Sequence, residues 1–136
     1  MEATRLSPEH LRLGQEPIDG EHGVQLQLLD ALQAELRQEG GRGGAAELVE
    51  RLLVFSDMHF GSEELLMRHH AYPRYGEHVE EHRALLAQLR DIEVRVRVGQ
   101  DASALAAEHR RWLGGHIVTH DRAFAQHHLG GDGAPT

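Results

Sequence analysis

Apolar side chains recur at steps of three and four residues in four separate stretches of this chain. That spacing puts them on one face of a helix and suits nothing else as well. The first stretch carries Leu26, Leu29, Leu32 and Leu36, and a helix is expected over 19–38, with Asp19 as its N-cap. The second reads Leu48, Leu52, Phe55, His59, Ser62 and Leu66 and predicts a helix over 45–69. In the third, His78, His82, Leu85, Leu89, Ile92 and Val96 alternate steps of four and three, within a helix expected over 76–98. The fourth carries Leu105, Trp112, Leu113, His116, Ile117 and Phe124, starts from a cap at Asp101 or Ser103, and runs to about 128.

The breaks between them are equally explicit. Gly40, Gly41, Gly43 and Gly44 surround Arg42, Tyr72 precedes Pro73, and Gly99 follows the third stretch. Four long helices joined by short loops make antiparallel neighbours. The expected fold is therefore all-α, an up-down-up-down antiparallel four-helix bundle. Residues 1–18, with Pro8 and Pro17, read as an irregular N-terminal arm, 19–128 as the bundle, and 129–136 as a flexible tail. At 136 residues this is one domain with a single core.

Charge and composition remove several classes of function. The net charge is −8 and the arginines are scattered, so no basic stripe exists to neutralise nucleic-acid phosphates or an anionic membrane. No apolar run approaches the ~18 residues of a membrane span. The first 25 residues contain no signal-type apolar stretch, so a cytoplasmic location is expected, as is a monomer. Cysteine is absent, which excludes disulfides, thiolate catalysis and iron–sulfur ligation. All 14 basic residues are arginine, a bias read as genomic base composition.

Histidine, by contrast, appears 12 times. Several of these residues stand where the stripes call for leucine: His22 on the first helix, His59 on the second, His78 and His82 on the third, His116 on the fourth. Glu63 follows His59 by four residues, so the two project from one face, as do His78 and His82. Asp121 follows His116. In an antiparallel bundle the start of the first and third helices lies level with the latter half of the second and fourth. All seven residues obey that rule and can meet in one layer.

Five imidazoles and two carboxylates buried together call for metal, because unpaired buried carboxylates are costly. Imidazole and carboxylate without sulfur suit iron, manganese or zinc. Seven ligands are too many for one ion. If Glu63, Asp121 and a solvent oxygen all bridge, five imidazoles divide three to two, leaving one ion with an open place. Iron fits best, since two ferrous ions can together give two electrons to dioxygen.

The motifs IDGEH ending at His22, HFGSE from His59 to Glu63, HVEEH from His78 to His82 and HIVTHD from His116 to Asp121 resemble the hemerythrin family, in that order. Glu64, Leu66, Met67, Tyr72-Pro73 and Trp112-Leu113 agree with it as well, and the likeness covers residues 13–128. It implies a non-haem di-iron protein, its irons bridged by oxo or hydroxo, that binds dioxygen reversibly at the open iron for transport, storage or sensing. It further implies that His78, His82 and His116 bind the closed iron and His22 and His59 the open one, with Glu63 and Asp121 bridging. Leu113, and Trp112 beside it, are expected near the dioxygen pocket.

By helical geometry alone His120, four residues from His116, is better aligned than Asp121, which lies about 140° around an ideal helix. The resemblance assigns the aspartate, leaving His120 beside the site or on the surface. His10, His69, His70, His109, His127 and His128 are expected in solvent. Gly61, Gly114 and Gly115 admit either close backbone packing or a path for gas. A competing class is a di-iron enzyme, such as a peroxidase, an oxidase or a nitric oxide scavenger. A two-metal hydrolase ranks last, since no arginine falls at the metal layer. A ferritin-like oxidase would use more carboxylates.

Overall fold

The computed structural model describes residues 16–38 and 42–133. Its helices are α1 (Glu16–Leu36), α2 (Arg42–His69), α3 (Tyr75–Arg97), α4 (Ser103–His116) and α5 (Arg122–Gly133), the last two joined without a break by a π-helical turn, Ile117–Asp121. Each helix packs on the next and α4 closes back onto α1, giving the four-helix bundle. No strand occurs among the described residues. Residues 1–15 and 134–136, and with them most of the expected arm and the end of the expected tail, lie outside the described residues.

Two helices begin earlier than their stripes suggest. α1 starts at Glu16, not at a cap formed by Asp19, and takes Pro17 into its first turn. Proline is tolerated there because the first N–H groups have no intrahelical partner to lose. α2 starts at Arg42 and absorbs Gly43 and Gly44, so the loop is shorter than the glycines imply. The fourth helix runs on through Gly130 and Gly131 to Gly133, which the expected tail did not anticipate.

The other boundaries have clear causes. α3 is closed off by Gly99, just past its end, whose φ of 81° lets Gln100 N–H bond Arg95 O at 2.8 Å and Gly99 N–H bond Val96 O at 3.2 Å. The end of α2 repeats that motif with Ala71 at φ 52°, where Tyr72 N–H reaches Met67 O at 2.9 Å. Pro73 then disfavours helical geometry at Tyr72, so α2 cannot run on into α3. Asp101 Oδ1 accepts the N–H of Ser103 at 3.0 Å at the start of α4.

Inside, Leu26, Leu29, Leu32, Val49, Leu52, Leu85, Leu89, Ile92, Val96 and Ala106 form one apolar core. All six positions of the α3 stripe are buried. The α2 stripe departs from expectation along its length: Leu48 and Phe55 are half-buried and Ser62 and Leu66 exposed, whereas Ala45, Val49, Leu52, Ser56, His59, Glu63 and Met67 make the buried row, with Phe60 beside it.

Candidate metal centre

The core ends abruptly at one end of the bundle, where the next layer is polar. His22, His59, Glu63, His78, His82, His116 and Asp121 are buried there. They come from the start of α1 and α3, the latter half of α2, and the junction of α4 with the π-turn. Their potential ligand atoms form two groups, each lying within 4.8 Å throughout. One group is Glu63, His78, His82, His116 and Asp121; the other is His22, His59, Glu63 and Asp121. Glu63 and Asp121 belong to both.

Contacts inside the cluster are close. His78 Nε2 lies 2.8 Å from Asp121 Oδ1 and 3.1 Å from Glu63 Oε1. His82 Nε2 is 2.9 Å from Glu63 Oε1, His22 Nε2 is 3.0 Å from Asp121 Oδ2, and His116 Nε2 is 3.1 Å from Asp121 Oδ1. Separations of this size match neighbouring corners of an octahedron with arms of about 2.1 Å, whose edges are about 3 Å. His59 Nε2, His116 Nε2 and Glu63 Oε2 are buried with no hydrogen-bond partner among the described residues. Buried polar atoms left in this way are costly without a partner, and a cation between them supplies one.

The outer faces of the rings carry the second mark of a metal site. His59 Nδ1–H donates to Glu21, His82 Nδ1–H donates to Glu64 Oε2 at 2.8 Å, and His116 Nδ1 faces Glu81 Oε1 at 3.4 Å. Trp112 Nε1–H donates to the same Glu81 oxygen at 3.1 Å. A carboxylate on the far nitrogen fixes the tautomer that leaves Nε2 free to bind and makes it more basic. Phe60 stacks on His82 with ring centroids 4.1 Å apart, holding that ring flat. Each of these acids sits next to a site residue in the chain: Glu21 before His22, Glu64 after Glu63, Glu81 before His82. That adjacency was the available signal.

Without an ion the cluster acts as a charge network. Burial alone would raise the Asp121 carboxyl, but the charge of His116, 3.1 Å away, and bonds from His22 and His78 hold it well below the usual range. Burial is also the largest influence on His78, lowering it, yet hydrogen bonds to Asp121 and Glu63 outweigh that and lift it to about 9. His116 moves up as well: burial opposes the shift, and the Asp121 charge prevails.

The five-residue step to Asp121 has a local cause. In the π-turn the N–H of Arg122 bonds Ile117 O, five residues back, so one turn holds an extra residue. The wider turn carries Asp121 onto the buried face and leaves His120 at the flank. His120 stacks on His116 at 5.3 Å, with its Nε2 3.9 Å from Glu81, and joins neither ligand group. Such turns occur mostly as single insertions in α-helices at functional sites.

Leu113 is buried one turn from His116, and Trp112 is half-buried at the Glu81 side. A Cβ at Gly61 or Gly115 would meet nothing within 4 Å, so close packing does not explain these glycines. Of the histidines expected in solvent, His109 is buried, its Nδ1 2.8 Å from Gln88 Oε1. It continues the row Ala102, Ala106, Leu113 at steps of three and four, and its polarity hid that periodicity. His69 is exposed, His70 and His127 are half-buried, and His10 and the His128 side chain lie outside the described residues.

Comparison with known proteins agrees with this picture. The family model described as Hemerythrin HHE cation binding domain matches residues 13–127. A bacteriohemerythrin of Stenotrophomonas maltophilia (strain R551-3) is 27% identical over 118 residues, covering 86% of this chain and 76% of the relative. Bacteriohemerythrins of Pseudomonas paraeruginosa and Pseudomonas aeruginosa are each 26% identical over 117 residues, covering 85% of this chain and 76% of theirs. No solved structure matches significantly.

Proposed function

This chain belongs to the hemerythrin family, and on that premise we propose that it is a non-haem di-iron protein that binds dioxygen reversibly, as a carrier, store or sensor rather than an enzyme. The supporting observation is the sharing of Glu63 and Asp121 between two ligand groups of unequal size. His78, His82 and His116 would hold one iron and His22 and His59 the other, with Glu63 and Asp121 available to both. Offered fewer side chains, the His22–His59 position would be the open one, with room for a small molecule. When bound, the iron pair would supply the reversible two-electron chemistry that dioxygen binding needs.

The chain's own residues orient and enclose. Glu21 and Glu64 hold two imidazoles in the ligating tautomer, Glu81 lies beside a third, and Leu113 and Phe60 keep bulk water from the layer. A cytoplasmic location accords with the charge and with the lack, among the described residues, of any helix long and apolar enough to cross a membrane. The test is anaerobic loading with ferrous iron followed by air. Two irons per chain and a visible band that fades under argon are expected. A band that forms once and decays would shift the reading to a di-iron oxidase; one firmly bound ion per chain would end it.

A further inference from the structure

Two buried polar side chains stand outside both ligand groups, one helical turn away. Gln25 follows His22 by three residues on α1, and Ser56 precedes His59 by three on α2; all four are buried. Because the helices are antiparallel, both offsets lead the same way along the bundle, about 4.5 Å toward the apolar core. The pair meets there: Gln25 Nε2–H donates to Ser56 Oγ at 3.1 Å. In the layer above, the rings of His22 and His59 meet at 4.9 Å. Gln25 Oε1 has no hydrogen-bond partner among the described residues.

The other two helices bury leucine at this depth, Leu113 on α4 and Leu85 and Leu86 on α3. Polarity is thus confined to the side of His22 and His59, the side with fewer imidazoles. An apolar leucine there would fill space without the desolvation cost of an unsatisfied amide oxygen. An amide oxygen makes sense where something with a hydrogen to donate comes to it. The Ser56 hydroxyl beside it, which also has a hydrogen to give, supplies the second contact that a held water needs.

We propose that Gln25 is a specificity-determining residue of the small-molecule pocket: with Ser56 it forms a polar wall beside the His22–His59 position that holds a hydrogen-bond donor, a water molecule at rest. This rests on the reading of that position as the open one. Dioxygen gains nothing from an acceptor oxygen, whereas water gains a bond, so the wall favours hydration of the pocket and shortens the time dioxygen is held.

Two measurements test it on the full chain. In the iron-loaded protein exposed to air, Gln25→Leu should lengthen the lifetime of the visible band about tenfold, and Ser56→Ala should lengthen it less. An unchanged or shortened lifetime, with iron content and helicity intact, overturns the proposal. In crystals of the redox-silent zinc-loaded protein, an ordered water should bond Gln25 Oε1 and be missing from Gln25→Leu. A dry pocket with the amide oxygen bonded to another protein group also overturns it. If the wild-type protein binds two ions but never colours in air, the dioxygen reading fails, and the water site is still decided by the zinc form.

Discussion

The two ends of the bundle use the same four helices for opposite purposes. Toward the far end, Leu29, Leu32, Val49, Leu52, Leu89 and Ile92 meet with no exposed surface. Each such side chain contributes about 1.5–3 kcal/mol by leaving water. At the near end the same inward positions carry seven ionisable groups, five of which keep buried atoms without a hydrogen-bond partner among the described residues. One end is complete as the chain folds; the other is complete only when cations arrive. The contrast teaches that the apolar end holds the polar one in an arrangement its groups would not adopt alone.

The sharpest way to break that contrast is to remove a group shared by both ligand sets. Glu63→Ala should abolish loading of both ions, not of one, seen as a fall from two metals per chain to none by elemental analysis, with far-UV circular dichroism keeping its helical form. A variant that still holds two ions would show that the ends are not divided as described. Leu89→Ala makes the complementary cut. It should cost about 2–5 kcal/mol in denaturant unfolding while the protein still takes two ions per chain.

A pH series on the metal-free protein probes the middle of the bundle. Burial pushes His109 down to about 4 from 6.5, so the unfolded chain takes up a proton that the native state refuses. Stability is then full above pH 6.5, falls between 6.5 and 4, and is level below, a loss on the order of 3 kcal/mol from this residue. The difference in urea midpoints between wild type and His109→Gln should shrink over that window; parallel curves would remove His109 from the account. Glu64→Gln should weaken metal affinity 10–100-fold, read by competition with a chelator, at little cost to folding. Smallest of all, Ala71→Gly at the near end should raise stability by about 1 kcal/mol, since glycine already holds the matching position at Gly99.

Sequence periodicity carried most of the fold. On α3, polar and apolar positions alternate cleanly, and its six-residue stripe is the buried face. On α2 the buried row runs through Val49, Ser56 and Glu63 instead of Leu48, Phe55 and Ser62, because adjacent rows carry similar apolar residues and hydrophobicity cannot say which faces in. Pro17 and the paired Gly43 and Gly44 look like breakers, yet first-turn positions lack the hydrogen bonds that breakers disrupt. Most of the seven candidate ligands could be named because they interrupt leucine stripes, two pairs of them at chelating intervals, whereas Asp121 rests on the family resemblance. Glu21 and Glu81 could not, since an acid one residue from a stripe resembles any solvated flank until its neighbour's ring is oriented. Gln25 and His109 lie on buried rows, and residue type alone does not mark either as buried. What places Asp121 inside was invisible, because an ideal helix has no place for a six-residue turn.

That turn reaches beyond one ligand. Phe124 and Ala125, one helical turn beyond Asp121, are buried on the same side. Had the chain kept an ordinary pitch, an imidazole would occupy that place instead of a carboxylate. The cavity would then carry one negative charge fewer. A local change of winding thus sets the electrical balance of the cage that any cation would meet.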